Sequence, residues 1–328
     1  MKSDHATVVP EGWAIIKENK DNYRMAELFD ISSYPLNVTL STLLKDQTTG
    51  ENIIFATDAY DDKEPTDHIT KEMFAGNNPI VIQPRSFKSL QEQQKRTRHM
   101  AEVFTPTWLC NRMNNHIDEQ WFGYKDVFNK ELPDNQWEAS DGIVVFPEGK
   151  SWREYINSKR LEITCGEAPY LVSRYDTTTG DSVLPLSRRI GILDRKLRIV
   201  NEHTKTEKTW TKRAMEAIQS CYGFEFQGDS LLIARINILL SFCEYHSSRW
   251  GELPSEEAVA FAAEIVSWNL WQMDGFTDAP PLRKPEEMHK QLDLFDFDES
   301  KEDVVPLCRI MDWAKDKTLV YKAIKEGI

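Results

Sequence analysis

The chain has 328 residues, and its hydrophobic fraction of 40%, with 10 Trp and 15 Phe, is ample for a packed core. A formal net charge of −13 argues against a protein that binds nucleic acid through an overall basic surface. The longest apolar stretches are far short of a membrane span, and no apolar signal segment begins the chain, so we expect a soluble, cytoplasmic protein. The 5 cysteines and 7 histidines are scattered, so we predict no structural metal.

The charge is distributed unevenly along the chain. Residues 84–100, which we call the basic stretch, carry five basic residues and one acid, whereas residues 286–303 carry eight acids and two lysines. Such runs are most often solvated faces or linkers, but a basic face on an acidic protein can still contact phosphate. The candidate phosphate contacts are Arg85, Lys88, Lys95, Arg96 and Arg98.

A helix is predicted just after the basic stretch. Glu102-Val103-Phe104-Thr105-Pro106 precedes apolar residues whose spacing suits an amphipathic helix, namely Trp108, Leu109, Met113, Ile117 and Trp121. A Thr-Pro pair is a reasonable helix start, because proline is favoured at the first helical position. Further along, Gly142-Ile143-Val144-Val145-Phe146 is typical of a strand.

The stretch from Leu161 to Leu171 predicts a strand followed by a tight turn of small residues, and the strand contains an acid, Glu162. In α/β folds, a carboxylate at the end of a strand beside such a loop commonly holds an adenosine-bearing cofactor. The alternative interpretation is a strand-to-helix turn that binds no ligand.

A second acid closes a later predicted strand. Thr209 to Cys221 has the pattern of a helix, and Tyr222 to Phe226 that of a short strand, with Glu225 near its end. A helix with an apolar stripe follows, and Asp229 is a suitable cap for it. An acid in this place usually holds a ribose diol. The alternative is that Glu225 pairs with a nearby arginine such as Arg235.

The last third predicts one more helix, a linker and a final strand pair. Pro254 and Ser255 open the helix, which runs towards Gln272-Met273-Asp274. Residues 278–303 combine prolines with the acidic run, so we predict a loop or linker there, and Val304 to Val320 predicts the strand pair. Short apolar strands that alternate with helices indicate a doubly wound α/β sheet, in which the strands around 161–164 and 222–226 are parallel neighbours.

The order and content of these segments resemble the N6-adenine DNA methyltransferases that use S-adenosylmethionine. Glu102 to Pro106 is similar to that family's cap motif, and Leu161 to Leu171 to its cofactor loop. Gly223-Phe224-Glu225 resembles the segment whose acid holds the ribose, and Gln272-Met273-Asp274 the place whose Asp takes the adenine amino group. The resemblance implies a cofactor site built from Thr105, Pro106, Glu162, Cys165, Gly166, Glu225, Phe226 and Asp274.

The whole chain also resembles small stand-alone proteins of phages and mobile elements that are described as modification subunits of restriction enzymes. This likeness implies a Rossmann-like methyltransferase domain at 85–280, an N-terminal extension at 1–84, and an acidic linker with a C-terminal tail element at 281–328. The partners it implies are DNA and a second protein subunit, with no membrane.

The family's catalytic segment is the main departure. In that family an Asn or Asp, two prolines and an aromatic residue hold the target adenine, and no such segment follows Asp274. Asp278-Ala279-Pro280-Pro281-Leu282 and Asn77-Asn78-Pro79-Ile80 come closest, and neither has the full pattern. The cofactor loop also has Ala168 in place of a glycine, and no target-recognition domain is evident. The catalytic residues are therefore unknown.

Three functions remain open at this point. The first is an adenine-N6 DNA methyltransferase or modification subunit of a restriction–modification system, whose active site is built from an unusual segment or completed by a second subunit. The second is a catalytically inactive methyltransferase-like binding protein, either a non-catalytic partner or an acidic anti-restriction decoy. The third is a methyltransferase that acts on a small molecule or a protein, which would explain the lack of a recognition domain.

Overall fold

The computed structural model describes residues 30–75, 79–100, 104–183, 185–285 and 304–327. Its helices are α1 (Leu36–Leu44), α2 (Leu90–Met100), α3 (Thr107–Phe122), α4 (Trp152–Ile156), α5 (Ile192–His203), α6 (Glu207–Gln219), α7 (Gly228–Trp250), α8 (Glu256–Asn269) and α9 (Tyr321–Lys325). Its strands are β1 (Asn129–Glu131), β2 (Trp137–Ala139), β3 (Arg160–Glu162), β4 (Cys221–Glu225), β5 (Leu270–Gln272), β6 (Lys284–Pro285), β7 (Val304–Val305), β8 (Arg309–Asp312) and β9 (Lys317–Val320). The protein is therefore mixed α/β.

A three-stranded parallel sheet with β4 in the middle positions the candidate site. Leu161 of β3 pairs with Tyr222 of β4, and Gly223 of β4 pairs with Leu270 of β5. The prediction that the two acid-bearing strands are parallel neighbours is confirmed. Parallel strands must be joined by crossovers, and α5 and α6 form the first of these while α7 and α8 form the second.

Helices cover one face of this sheet, and α7 is the most deeply buried of them. The predicted apolar stripe is only part of α7, because the helix is buried from Gly228 to His246 on nearly every side. A helix that is apolar all round belongs in the interior, with other helices packed around it. The α8 helix begins as predicted, with the Ser255 side chain accepting a hydrogen bond from Ala258 N.

The opposite face of the sheet is covered by the C-terminal hairpin, in which β8 and β9 pair antiparallel. This hairpin confirms the predicted final strand pair. Tyr222, Phe224, Trp271 and Met273 of the sheet pack there against Cys308 and Tyr321. Strands β4 and β5 are thus buried on both faces, as parallel strands usually are, whereas Leu161 of β3 is exposed.

The described part of the predicted N-terminal extension shares the main core. Leu40 and Leu43 of α1 lie in the same apolar cluster as α7 and α8. The Gln272 side chain bonds both backbone groups of Ile54, accepting from its N–H at 2.9 Å and donating to its carbonyl at 2.8 Å. Residues 36–69 are therefore built into the sheet-bearing unit and do not form a separate appendage.

The predicted strand at 142–146 is wrong. Ile143 and Val145 are 66% and 71% exposed, and Val144 N donates to the Glu202 carboxylate instead of to a strand partner. Alternating apolar residues suggested a half-buried strand, but the segment is irregular: Val144 is buried and Phe146 packs against the core without a partner strand among the described residues. Among the described residues, no helix has the length and apolar character to cross a membrane.

Candidate functional site

The carboxyl ends of β3, β4 and β5 meet at one edge of the sheet, which we call the carboxyl edge. Glu162 ends β3, Glu225 ends β4, and Asp274 follows β5 by two residues. The turn after β3 folds over this edge, where Cys165 N donates to Phe224 O at 2.8 Å. Such an edge is where ligands bind in open α/β sheets.

Glu225 joins the two predicted halves of the site. Its carboxylate accepts a hydrogen bond from Gly166 N at 2.8 Å, and also from Phe226 N at 2.9 Å and Gln227 N at 3.2 Å. The alternative partner, Arg235, instead donates to the backbone carbonyls of residues 43, 45, 267 and 270. The acid of β4 is therefore bonded to the loop of β3.

Glu162 holds the later part of that loop through hydrogen bonds to its backbone. Its buried carboxyl group accepts hydrogen bonds from Tyr170 N at 3.3 Å and Leu171 N at 3.1 Å. Burial raises its pKa to about 8; these two N–H groups act against the rise, and the neighbouring Glu225 adds to it. Near neutral pH this carboxyl is therefore mostly protonated.

The loop backbone is strained in a way that suits close packing. Thr164, Gly166 and Ala168 have φ values of 48°, 53° and 63°, in the left-handed region that favours glycine. A side chain at Gly166 would bring its Cβ to 3.1 Å from the Phe104 ring. Ala168, which stands where the methyltransferases named above have a glycine, has a φ in this same left-handed region.

The predicted cap segment lies beside this loop. The α3 helix begins at Thr107, directly after Thr105-Pro106, which confirms the predicted start. Asp176 Oδ2 accepts from Thr107 N at 2.8 Å, and Thr177 Oγ1 donates to Thr105 O at 3.1 Å. Thr105 and the start of α3 are therefore attached to the segment that follows the β3 loop.

Asp274 belongs to a tight turn at the end of β5. Its Oδ1 accepts from Phe276 N at 2.8 Å, and the chain is linked to β4 where Met273 N donates to Glu225 O at 3.0 Å. The Phe276 ring at the tip of the turn is fully exposed. Of the predicted site residues, Gly166 and Phe226 are bonded directly to Glu225, whereas Cys165 bonds the neighbouring Phe224 and Glu162 bonds Tyr170 and Leu171. Thr105, beside Pro106, and the Asp274 carboxylate instead form hydrogen bonds with Thr177 and Phe276 N.

Two of the five predicted phosphate contacts are not on the surface. Lys88 and Arg96 are 6% and 2% exposed, and both bind the buried Asp229 carboxylate, at 3.1 Å and 2.9 Å. Their prediction as DNA contacts is therefore corrected: Arg96 of α2 and Lys88, just before α2, attach this part of the chain to the start of α7. Asp229, predicted as a helix cap, serves as their counter-ion.

The other three predicted phosphate contacts differ from one another. Arg85 is half-buried and donates to Thr97 Oγ1 at 2.6 Å, while its backbone N donates to Glu167 at 2.7 Å. Arg98 is exposed. The side chain of Lys95 lies outside the described residues.

A buried polar network on α7 escaped the sequence reasoning. Glu244 binds Arg174 at 2.7 Å and Arg189 at 2.5 Å, both from the segment between β3 and α5. Asn237, one heptad earlier on the same side of α7, donates to Glu167 O at 3.1 Å. Polar residues at this spacing in an otherwise apolar helix are the signal that could have revealed it.

The structure describes one of the two stretches that come closest to the family's catalytic segment. Asp278 is buried, accepts from Lys325 Nζ at 3.0 Å, and its carbonyl accepts from Cys308 N. It therefore anchors the C-terminal hairpin. Asn77 and Asn78 lie outside the described residues. Comparisons with family models, curated proteins and solved structures found no match, so function is inferred from the geometry of the site.

Proposed function

We propose that the chain binds S-adenosylmethionine at the carboxyl edge and acts as an adenine-N6 DNA methyltransferase, or as the modification subunit of a restriction–modification system that needs a partner for catalysis. The observation that supports this is the hydrogen bond from Gly166 N to the Glu225 carboxylate. It brings a strand-terminal acid and a small-residue loop together at the edge where nucleotide-type cofactors bind in α/β folds.

The chemistry of the residues fits such a cofactor. S-adenosylmethionine supplies an already activated methyl group when it is bound. Glu225 provides carboxylate oxygens, which accept hydrogen bonds from ribose hydroxyls, and Asp274 provides the same chemistry for an adenine amino group. Glu162 orients the loop through Tyr170 N and Leu171 N. The chain's own contribution is binding and alignment, since methyl transfer from a sulfonium needs little acid–base chemistry.

Calorimetric titration with S-adenosylmethionine tests the cofactor site. Glu225→Ala removes charge-assisted hydrogen bonds to the ribose, so we expect binding to weaken by about 1.5–3 kcal/mol. Glu264→Ala, an exposed acid on α8, is the matched control and should bind like the wild type. Equal affinities in a folded Glu225→Ala variant would contradict the assignment.

Catalysis is tested by transfer of tritium from labelled cofactor to genomic DNA. We expect little or no transfer by the isolated chain, because Asp278 is committed to Lys325 and the hairpin. Substantial transfer would contradict the need for a partner and would point to an unrecognised polar group near Asp274.

A second candidate is the inactive binding protein, and one contact favours it. The Phe104 ring lies against Gly166, so a protein side chain occupies space that a cofactor loop usually leaves for the ligand. In that case the hydrogen bonds at the carboxyl edge only hold the β3 loop to β4, and the wild-type protein binds no S-adenosylmethionine. The same titration therefore separates the two candidates.

A further inference from the structure

We propose that the groove between α6 and α8 is the docking site of this chain's own N-terminal segment, whose apolar residues Met25, Leu28 and Phe29 fill it. The groove shares no residue with the candidate cofactor site, so this inference is independent of the proposed function. Residues 1–29 lie outside the described residues, and the place where they join the described chain identifies them as the occupant.

The groove lies between two neighbouring helices and has a partly apolar lining. It encloses about 770 Å³, within the range of roughly 300–1,000 Å³ that is typical of cavities that hold a ligand. Met215 of α6 and both Ala258 and Phe261 of α8 supply its apolar surface. Phe261 is 42% exposed, although its ring packs edge-on against Trp313 at 6.5 Å between centroids. The described part of the chain therefore leaves an aromatic side chain accessible within a cavity.

The described chain begins beside one end of this groove. The Tyr34 hydroxyl donates to Pro254 O at 2.5 Å, and Pro254 directly precedes Ser255, which lines the groove at the start of α8. A backbone hydrogen bond of 3.2 Å to Asp30 O closes a turn between Asp30 and Tyr34, so this part of the chain is compact. Phe29 is one peptide bond before Asp30, with about 3.8 Å between the two Cα atoms. The N-terminal segment therefore starts next to the groove.

The residues just before Asp30 have the pattern of a groove-binding segment. Met25, Leu28 and Phe29 stand at positions i, i+3 and i+4, the spacing that predicts one apolar face of a helix. An amphipathic helix that lays such a face into an apolar groove is a recurring mode of peptide recognition. At most about 18 Å of extended chain separates Met25 from Asp30, so all three side chains stay within reach of the groove.

The covalent tether favours this segment over a second copy or an unrelated protein. A segment joined to a surface by a short linker binds it at an effective concentration in the millimolar range. It also avoids most of the translational and rotational entropy that a free partner loses on association. An apolar contact of modest size is therefore enough to keep the tethered segment docked, whereas a free partner would need a larger interface.

Hydrogen exchange of the full chain, followed by mass spectrometry, tests the docking. We expect the amides of residues 25–29 to exchange at least about tenfold more slowly in the wild type than in Phe261→Asp, because a carboxylate in the groove opposes burial of apolar side chains. Val145→Asp is the matched control, since Val145 is exposed but is not part of the groove, and it should exchange like the wild type. Leu28→Asp should lose the same protection, and it serves if circular dichroism shows that Phe261→Asp is unfolded. Fast exchange of residues 25–29 in the wild type, or protection that both variants keep, would overturn the proposal.

A pair of cysteines tests which chain supplies the segment. The native cysteines are all buried, so Leu28→Cys combined with Thr211→Cys, in the α6 wall of the groove, adds two reactive thiols. A short bifunctional maleimide reagent should join them within one chain, which peptide mass spectrometry identifies. Leu28→Cys combined with Val145→Cys is the control and should give no such product. A covalent dimer of the groove variant would show that a second copy supplies the segment, and this result or the lack of any cross-link would overturn the proposal.

Discussion

Two regions of this molecule treat their buried carboxyl groups differently. On α7, Glu244 binds two guanidinium groups, and although burial opposes ionisation, Arg174 and Arg189 bring its pKa down to about 2. Asp229 at the start of the same helix is likewise paired, with Lys88 and Arg96. At the carboxyl edge, Glu162 is held by backbone N–H groups and its pKa is raised to about 8.

The difference separates acids that are paired with buried cations from acids that are held by backbone N–H groups. An acid whose charge is matched by buried cations is fixed in one ionised form and stabilises the fold. An acid held by backbone donors alone, at the edge of a parallel sheet, has no cation to offset its burial, so its pKa rises. The acids of α7 thus bind buried cations from other segments, and Glu244 in this way holds the segment between β3 and α5.

The largest expected effect is at Glu244. Glu244→Ala leaves the buried guanidinium groups of Arg174 and Arg189 without their acid, so we expect about 3–5 kcal/mol less stability to urea unfolding. Glu264→Ala should change stability by less than about 0.5 kcal/mol, because Glu264 is exposed. A loss below about 1 kcal/mol at Glu244 would show that the network is not structural.

The pH dependence of stability should have opposite signs at the two sites. The folded pKa of Glu244 is lowered from 4.5 to about 2, so its contribution is present above pH 4.5 and is lost as the pH falls to 2. The folded pKa of Glu162 is raised from 4.5 to about 8, so stability is lost as the pH rises from 4.5 through 8.

Urea midpoints measured in dilute solution between pH 5 and pH 8 check the second of these slopes. Glu162→Gln removes the titrating group, so the variant should lack a loss on the order of 3 kcal/mol that the wild type shows. Identical slopes in the two proteins would mean that Glu162 is ionised throughout, and the contrast between the two regions would disappear.

Within the basic stretch, the exposed Arg98 can be compared with the buried Arg96, and we expect smaller effects there. If the chain contacts DNA, Arg98→Glu should reduce the slope of log affinity against log salt by about 0.9, the value for one phosphate. Lys130→Glu, an exposed cation on β1, should leave the slope alone. Arg96→Ala should instead lower the unfolding free energy, because it breaks the pair with Asp229. Fluorescence anisotropy of labelled duplex DNA measures the slope.

The smallest effect concerns the loop at the carboxyl edge. Thr164 is exposed and has a φ of 48°, a costly conformation for a β-branched residue. Thr164→Gly should therefore raise the unfolding free energy by about 0.5–1 kcal/mol. Lys159→Gly, where φ lies outside the left-handed region, should lower it. Equal losses at both positions would show that the loop is not strained.

Several elements of the fold could be predicted because their signals are local. Apolar runs predicted the parallel neighbours β3 and β4, and a Thr-Pro pair predicted the start of α3 at Thr107. Short alternating segments predicted the final hairpin. The meeting of Glu225 with the β3 loop was expected from the resemblance, because two strand-terminal acids of adjacent parallel strands share an edge.

The remaining features depend on contacts that are distant in sequence. A charge run such as 85–98 has the pattern of a solvated face, and nothing local shows that Arg96 binds Asp229, 133 residues away. The same holds for Glu244 with Arg174, 70 residues apart. The strand predicted around Ile143 and Val145 was wrong because an alternating pattern does not reveal whether a partner strand exists.

The contact between α1 and α8 can form only late in the synthesis of this chain. Gln47, just past α1, bonds Ser267 of α8, which lies 220 residues further along. At the usual speed of synthesis, the ribosome needs on the order of 10–40 s to cover that distance. Throughout that time Leu40 and Leu43 have no α8 to cover them, so the nascent chain presents an early binding site for chaperones long before its sheet can close.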